Sequence, residues 1–447
     1  MVNRRGPVKT PPLGAREPIS LDDDTPEAAV DATAEAAIAP AQGERRASTR
    51  AVGDTGKIAV TPRISQRSAI PAFEVMRITD EIARRRAGGH DVVSLCAGEP
   101  SARPAPGTFQ PAGYTGPLGT APLREAVAGH YREWYGVEVD PATVAITTGS
   151  SGAFQLAFLA AFDPGDRVAL ASPGYPAYRN ILTALGVQVI EIPTGPETRY
   201  QPTPALLDAA VEEHGDLAGL ILASPANPTG TMLDRAALTA LVAWCSLRGV
   251  RLVSDEIYHG ITFDAADTRD CRGVTARELD PEAIVINSFS KYWGMTGWRL
   301  GWALLPDSMV APFEALASNF ALSPPAPAQE LALTAFDAET YAERDAIVEG
   351  FGRARRLILD AEAELQWGVA APSDGAFYYY SELGPQLERF GDSVTYSRQL
   401  LAGANVAVVP GVDFDPVNGA RAVRLSYAAG EPAVAEALER ILRFQRS

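Results

Sequence analysis

One lysine and one arginine occur close together in a stretch without acidic residues, "SFSKYWGMTGWRLGW" (residues 288–302). Lys291 lies among aromatic residues and glycines, and Arg299 follows eight residues later. On exposed helix surfaces, lysines ordinarily pair with acids three or four residues away. A lysine amine can also form a covalent bond with a carbonyl compound, and an arginine can bind a phosphate group. The stretch therefore indicates a site where both cations have partners other than protein carboxylates.

Apolar, strand-like runs precede the residues that could do chemistry. The runs are Thr143–Ile146, Arg167–Ala171, Val187–Ile192, Gly219–Ala223, Val250–Val253, Ala283–Ile286 and Leu300–Leu305. Helical patterns separate them: between Asp234 and Arg248, apolar residues fall on one helical face, Asp234 can act as the N-cap, and Gly249 ends the helix. This alternation predicts a largely parallel sheet covered on both faces. In such sheets, ligands bind beyond the carboxyl ends of the strands.

Side chains suited to binding a ligand follow the first two runs. Ser150 and Ser151 precede an apolar helix, Ala153–Phe162, and free N–H groups at a helix N-terminus favour an anion. Tyr175 lies between a glycine and a proline, so its ring can face a flat ligand. Each residue alone also has an ordinary structural explanation, as a serine N-cap or as a buried tyrosine in a turn.

The next runs are followed by further polar residues. Asn227 lies in "SPANPTG", which is also a good turn sequence. Asp255 and Tyr258 lie in "SDEIY", where a carboxylate at the end of a buried strand needs a cation or hydrogen bonds, although a helix-capping aspartate is common. Lys291 and Arg299 follow the next run. Because all these groups follow strands of one predicted sheet, we expect them to form a single site.

One ligand requires an anion cradle, an aromatic ring, an amide donor, a carboxylate, a phenol and a lysine together. That ligand is pyridoxal 5'-phosphate. Its phosphate binds helix-terminal N–H groups, hydroxyls and an arginine, and its ring stacks on an aromatic face. Its protonated ring nitrogen pairs with a carboxylate, and its aldehyde reacts with an amine. The sequence therefore predicts a pyridoxal phosphate enzyme.

The same motifs resemble those of the class I/II aminotransferases of the fold type I pyridoxal phosphate enzymes, in general the aspartate aminotransferase-like members. The resemblance extends from about residue 64 to the C-terminus. It rests on "SFSK" followed by "GWRLG", and on "AGEP", Tyr114 through Gly119 with "LREA", "SPANPTG", "SDEIY", "DGAFY" and "VRLSY", in this order. It implies an α/β fold with a mainly parallel seven-stranded sheet, helices on both faces, and a smaller α+β domain.

The resemblance also implies roles for the residues that follow the strands. Lys291 is expected to hold the cofactor covalently, and Asp255 to keep the ring nitrogen protonated. Asn227 and Tyr258 are expected to hydrogen-bond the ring oxygen, and Tyr175 to stack on the ring. Lys291, Asp255 and Tyr258 are thus the predicted catalytic residues.

Further roles concern the phosphate, the substrate and the second subunit. Arg424 in "VRLSY" is expected to bind the substrate α-carboxylate bidentately, together with Asn227 and the backbone of Gly98. The family tyrosine that matches Tyr114 contacts the phosphate of the neighbouring subunit, which implies a homodimer with shared active sites. The phosphate is otherwise expected to bind Ser150, Ser151, Ser288, Ser290 and Arg299.

These roles predict an aminotransferase that moves an amino group between an L-amino acid and a 2-oxo acid by a ping-pong mechanism, with the Lys291 amine as the base. An aspartate-type or another small amino acid is the expected donor, since a second cation for a dicarboxylic substrate cannot be identified. Neutral and aromatic donors stay open. The alternatives are a pyridoxal phosphate-dependent C–S lyase of the same fold and a cofactor-sensing regulator, for which the N-terminal region is too short and polar.

Composition divides the 447-residue chain into regions. Residues 1–56 lack aromatics and a sustained apolar period, which predicts a disordered extension or a start codon assigned upstream of the true one. Residues 57–100 are expected to pack with the small domain, residues 101–324 to form the large cofactor-binding domain, and residues 325–447 to form the small domain. The hydrophobic content of 46% is sufficient for two domains with cores.

Charge and cysteine usage exclude some partners. The net charge of -16 argues against binding to nucleic acid or anionic membranes, and no apolar run is long enough for a transmembrane helix. The three cysteines are scattered, which favours neither a disulfide framework nor a zinc site, and the four histidines are far apart. We therefore expect a cytoplasmic enzyme without a bound metal.

Overall fold

The structure, a computed structural model, describes residues 74–96, 113–263 and 270–446. The chain divides into two units, Met1–Arg63 and Ile64–Ser447, and all described residues belong to the second. The predicted extension, residues 1–56, lies outside the described residues, as do 57–73 and 97–100 of the predicted N-terminal segment. No helix in the described part combines the length and the apolar character that a membrane span requires.

Twelve strands occur in the described residues, and seven of them form the main sheet. Their bounds are β1 Val93–Ser94, β2 Val144–Thr147, β3 Arg167–Ser172, β4 Gln188–Pro193, β5 Gly219–Ala223, β6 Arg251–Asp255, β7 Ile284–Ser288, β8 Gly301–Leu304, β9 Tyr378–Glu382, β10 Val406–Ala407, β11 Val409–Pro410 and β12 Ala422–Ser426. The main sheet has the order β2-β8-β7-β6-β5-β3-β4. Only β8 runs antiparallel to its neighbours. The predicted mainly parallel seven-stranded sheet is confirmed.

Helices precede, connect and follow these strands. Their bounds are α1 Glu74–Ala87, α2 Ala121–Tyr135, α3 Gly149–Ala161, α4 Pro176–Ala184, α5 Pro204–His214, α6 Arg235–Arg248, α7 Ala276–Leu279, α8 Asp307–Phe320, α9 Ala326–Ala332, α10 Ala338–Leu365, α11 Gln386–Phe390, α12 Ser393–Ala404 and α13 Glu431–Arg446. The predicted helix after Asp234 is confirmed as α6, because the Asp234 side chain accepts a hydrogen bond from the Ala237 amide and Gly249 is left-handed.

Alternating side chains of the main sheet pack into two separate cores. On β5, Leu220 and Leu222 belong to one core and Ile221 to the other. Leu241 of α6 packs in the first core, and Phe158 of α3 packs in the second. Since both faces of the sheet are covered by helices, its strands are apolar on both sides, as their continuous runs predict.

The described residues form two smaller sheets besides the main sheet. Strand β12 lies between β11 and β9 in an antiparallel sheet, and β1 pairs with β10 in parallel. The closing helix α13 packs against α10. The strands β9, β11 and β12 correspond to the "DGAFYYYSEL", "NVAVVPGV" and "ARAVRLSYA" segments. The boundaries of the two domains, residues 101–324 and 325–447, stay predictions.

Candidate active site

A buried carboxylate lies at the carboxyl end of the central strand of the main sheet. Asp255 is the last residue of β6, and it is 2% exposed. Its Oδ1 accepts a hydrogen bond from the Ile257 amide at 3.0 Å, and its Oδ2 accepts one from the Tyr178 hydroxyl. Burial raises the pKa of the Asp255 carboxyl to about 6, although Tyr178, Ile257 and the positive charge of Lys291 act to lower it. Burial therefore outweighs these three contacts, and a cationic group bound beside Asp255 would favour its ionised form.

The lysine of the opening stretch lies beside two hydrogen-bonded phenols. Lys291 follows β7, and its Nζ is 5.7 Å from the centroid of the Tyr258 ring. The Tyr258 hydroxyl lies 2.8 Å from the Tyr378 hydroxyl, and both side chains are buried. Burial, followed by the neighbouring Tyr378, raises the pKa of Tyr258 well above its ordinary value. Tyr258 is therefore a protonated phenol near the lysine amine, which can both donate and accept a hydrogen bond.

Lysine is rare in this chain, which makes Lys291 unusual. The chain has 39 lysines and arginines, of which only Lys9, Lys57 and Lys291 are lysines. Among the described residues, Lys291 is therefore the only primary amine on a side chain. Every other cation that the structure places near the site is a guanidinium, which does not readily serve as a nucleophile.

An anion-binding corner lies where α3 begins. The first turn of α3 contains Ser150 and Ser151 and no acidic residue. A Cβ atom added at Gly149 would lie 2.5 Å from Nη2 of Arg299, so the guanidinium touches the start of the helix. Arg299 itself is left-handed, with φ 54° and ψ 53°, a conformation that costs a non-glycine residue about 1–3 kcal/mol. The amides of the helix N-terminus and the guanidinium together form a site for an anion.

The two predicted serines of the lysine motif lie together. Ser288 ends β7, and its Oγ is 2.9 Å from Oγ of Ser290 and accepts a hydrogen bond from the Ser290 amide at 3.0 Å. Both serines are buried. Beside them, a Cβ atom added at Gly301 would lie 2.8 Å from the Ser150 amide, so the absence of a side chain there lets β8 approach the helix N-terminus.

A buried arginine without a carboxylate partner faces the same region. Arg424 lies in the middle of β12 and is 4% exposed. Its Nη1 donates to Oδ1 of Asn227 at 2.9 Å, and its Nη2 donates to the carbonyl oxygen of Cys96 at 2.7 Å. Within the described residues it makes no salt bridge, and its Nε has no hydrogen-bond partner. Because a buried guanidinium without an anion is costly, this arrangement suits a carboxylate ligand.

The remaining predicted residues lie in different surroundings, and their roles stay predictions. Tyr175 precedes α4, and its ring contacts the ring of Tyr178 edge-on with centroids 5.4 Å apart, which brings it beside Asp255. Tyr114 is 85% exposed, so it does not pack into the site of this chain. Gly98 lies outside the described residues. Helix α3 begins at Gly149, four residues before the predicted start, which places both predicted serines in its first turn.

Two further tyrosines, which the sequence motifs do not single out, contact the predicted site residues. Tyr178 bonds to Asp255, and it follows Tyr175 by three residues, which places both on one side of a helix start. Tyr378 bonds to Tyr258 and lies under Arg424, whose Cζ is 4.4 Å from the ring centroid. Tyr378 lies in the motif "DGAFYYYSEL", which predicts a strand. The pairing of this strand with β12, which brings Tyr378 to Arg424, is not visible in the sequence.

The donor set indicates what this site can hold. An anion corner, a buried carboxylate, a phenol and a single lysine match a phosphorylated cofactor with a protonated ring nitrogen and an aldehyde. No group of His, Cys, Asp and Glu side chains in the described ranges could hold a metal ion. The chemistry available to these residues is therefore covalent capture of a carbonyl group, with proton transfer by an amine.

Similar proteins have related sequences and folds. A protein of Mycobacterium tuberculosis named valine–pyruvate aminotransferase is 44% identical over 391 residues, covering 86% of this chain and 98% of that protein. The aspartate/prephenate aminotransferase of Thermus thermophilus is 33% identical over 371 residues, covering 80% and 92% of the two chains. Both matches extend over nearly the whole relative.

Solved structures agree with the observed fold. A crystal structure of an aminotransferase from Mycobacterium tuberculosis has a TM-score of 0.80 with 43% identity, covering 86% of this chain and 99% of that chain. The aspartate aminotransferase of Thermus thermophilus with maleate has a TM-score of 0.76 with 30% identity, covering 86% and 100%. The family described as "Aminotransferase class I and II" matches residues 107–441. The chain belongs to this family, and it is an aminotransferase.

Proposed function

We propose that the enzyme uses pyridoxal 5'-phosphate, held at the carboxyl end of the main sheet. The observation that carries this proposal is the position of the only described lysine, Lys291, near Tyr258 and the buried carboxylate of Asp255. Asp255 would pair with the ring nitrogen, and the α3 N-terminus with Arg299 would bind the phosphate. The cofactor, when bound, supplies an electron sink that stabilises negative charge at the substrate α-carbon.

The protein residues have separable tasks in the amino transfer. Arg424 and Asn227 orient the substrate by its α-carboxylate, so that the α-hydrogen faces the lysine. The amine of Lys291 then takes up and returns that proton, as a general base and acid. Tyr258 donates a hydrogen bond into the site, which fixes the reacting groups. Since amino donor and 2-oxo acceptor use the same site in turn, ping-pong kinetics are expected.

The covalent role of Lys291 can be tested directly. Borohydride reduction of the loaded enzyme, followed by peptide mass spectrometry, should place the reduced cofactor on the peptide that contains Lys291. Replacement of Lys291 by Ala should remove the visible absorbance of the covalently held cofactor and nearly all amino transfer. A Lys291→Ala enzyme with an unchanged visible spectrum would show that the assignment is wrong.

We further propose that the amino donor has a neutral, apolar side chain. The Cζ atom of Arg424 lies 4.4 Å from the ring centroid of Tyr378 and 4.8 Å from that of Phe414. The surroundings of the proposed carboxylate-binding group are therefore aromatic, which suits an apolar side chain. Arg179, which reaches the Phe414 carbonyl at 3.5 Å, already pairs with Glu191, so it offers no unpaired charge to a second substrate carboxylate. The relative named valine–pyruvate aminotransferase supports the same choice.

Aspartate is the second candidate donor, because several relatives are named aspartate aminotransferases. Single-turnover spectra with L-valine, L-alanine and L-aspartate distinguish the two classes. Faster conversion with valine or alanine supports the neutral donor, whereas faster conversion with aspartate contradicts it. Pyruvate released from a cysteine conjugate without an added 2-oxo acid would instead indicate a C–S lyase.

The enzyme is also proposed to be a homodimer, which the exposed position of Tyr114 supports. Because Tyr114 is 85% exposed, its ring is available to a second subunit, as the family resemblance of this position implies. Sedimentation velocity separates a 47.4-kDa monomer from a particle of twice that mass, and a monomer at micromolar concentration would contradict the proposal.

A further inference from the structure

We propose that Tyr378 is a positioning residue that links the carboxylate-binding Arg424 to the phenol of Tyr258. Through this link, Tyr378 sets how strongly Tyr258 donates a hydrogen bond into the active site. The inference rests on the proposed cofactor, and it concerns a residue to which the sequence motifs assign no role.

The strand pairing brings Tyr378 under the arginine. In the register of β9 and β12, Arg424 lies opposite Tyr380, and Tyr378 lies opposite Ser426. Tyr378 is thus the diagonal neighbour of Arg424 on the same face of the sheet, where long side chains reach each other. The Cζ atom of Arg424 is 4.4 Å from the centroid of the Tyr378 ring, within the range of a cation–π interaction.

The hydroxyl of Tyr378 contacts Tyr258, the phenol near Lys291. It lies 2.8 Å from the hydroxyl of Tyr258, and this is its only hydrogen bond within the described residues. The two rings meet edge-on, with centroids 5.6 Å apart and an interplanar angle of 80°. Both side chains are nearly completely buried, so water does not compete readily for this hydrogen bond.

The number of hydroxyl protons fixes the direction of the hydrogen bond. Each phenol has one proton to donate and can accept at its oxygen. If Tyr258 gives its proton to a ligand in the site, its bond with Tyr378 survives only when Tyr378 is the donor. A donor at the Tyr258 oxygen polarises the Tyr258 O–H bond and strengthens its donation, because consecutive hydrogen bonds are cooperative. The charge of Arg424 acts on Tyr258 in the same sense.

The ring and the hydroxyl can be separated by substitution. The Tyr378→Phe change keeps the ring under Arg424 and removes only the donation to Tyr258. A matched control is Tyr379→Phe, since Tyr379 is the next residue, is equally buried at 2% exposure, and donates to Glu362 at 3.0 Å instead. Tyr379 points to the opposite side of β9, because side chains alternate along a strand.

The first test is the pH titration of the visible absorbance of the loaded enzyme. Weaker donation by Tyr258 to the ring oxygen should raise the midpoint in Tyr378→Phe by a few tenths of a pH unit, whereas Tyr379→Phe should match the wild type. Incorporation of 3-fluorotyrosine at position 378, which makes a stronger donor, should lower the midpoint. An unchanged midpoint in both position-378 variants, or equal shifts in both phenylalanine variants, would overturn the proposal.

The second test concerns the ring and uses equilibrium binding of 3-methylbutanoate, a carboxylate without an amino group, measured by calorimetry on the loaded enzyme. Tyr378→Leu removes the face under Arg424, and its dissociation constant should rise roughly threefold to thirtyfold, whereas Tyr378→Phe should bind like the wild type. Wild-type affinity in Tyr378→Leu would refute the link to Arg424. If the wild type itself shows no visible absorbance, the proposed cofactor fails, and this outcome is distinct from failure of the link.

Discussion

Replacing Tyr178 by Phe should shift the ionisation of the central carboxylate, Asp255. The change keeps the ring that packs against Tyr175 and removes the hydroxyl that donates to Oδ2 of Asp255. A hydrogen bond to a charged group contributes about 1.5–3 kcal/mol, and one pKa unit corresponds to about 1.4 kcal/mol. From the starting pKa of about 6, the carboxyl of the variant should therefore titrate about one to two units higher.

The shift is measurable as the pH dependence of cofactor binding to the cofactor-free protein. Binding of the protonated ring favours ionised Asp255, so the dissociation constant should rise about tenfold per pH unit below the pKa of this carboxyl. The wild type should show a break near pH 6, and the Tyr178→Phe protein a break about one to two units higher. The cofactor's own ionisations are common to all variants, so the difference between the two breaks is informative.

A control variant and a refuting result follow from the same contacts. Tyr379→Phe removes a buried hydroxyl that bonds to Glu362, so its break should coincide with that of the wild type. If Tyr178→Phe and the wild type break at the same pH, the Tyr178 hydroxyl does not stabilise the carboxylate. In that case the structural explanation for the ionised state of Asp255 would be wrong.

Two further predictions concern the buried carboxyl of Glu256 and the anion-binding corner at the start of α3. Burial raises the pKa of the Glu256 carboxyl from 4.5 to about 8, so between these pH values the folded protein keeps a proton that the unfolded chain releases. The contribution of this proton to folding stability is fully present below pH 4.5 and is lost as the pH rises to about 8. Glu256→Gln should therefore lose less thermal stability than the wild type between pH 6 and 9, and parallel melting curves would contradict this. Gly301→Ala should weaken cofactor binding at least about tenfold, because its Cβ would lie 2.8 Å from the Ser150 amide. The control variant Gly297→Ala, which has open space around the new Cβ, should bind the cofactor like the wild type. Equal cofactor affinities of the two variants would refute the close approach of Gly301 to Ser150.

The main sheet was predictable because its strands are buried on both faces. Each apolar run lies within two residues of an observed strand, for example Ala283–Ile286 against β7 at Ile284–Ser288. The antiparallel direction of β8 and the order of the strands depend on contacts between distant parts of the chain, which local patterns do not encode. Helix α3 starts earlier than predicted because its first turn consists of glycines and serines, which apolar periodicity does not include.

The part of the candidate site that lies at the carboxyl ends of the parallel strands was predictable from the sequence. Asp255, Lys291 and Asn227 could be located from the sequence because parallel strands bring their carboxyl ends to one edge. Tyr378 could not, because its role depends on the register between β9 and β12, which places it diagonal to Arg424. The sequence does not single out Tyr178, because a tyrosine at a helix start is ordinary and its hydrogen bond to the buried Asp255 depends on the fold.

The scarcity of lysine has a consequence for the handling of reactive aldehydes. After Lys57, the chain offers one side-chain primary amine, Lys291, and carries its other fixed positive charges on arginine. Guanidinium groups stay protonated and do not condense readily with aldehydes, so the arginine-rich surface gives an aldehyde few sites for unintended capture. Amine-directed crosslinkers, labels and immobilisation resins have three side-chain targets in the whole sequence, Lys9, Lys57 and Lys291, beside the N-terminal amine. In a variant with Lys9 and Lys57 replaced by arginine, Lys291 would be the one side-chain amine left to a general amine reagent, and the bound cofactor should protect it.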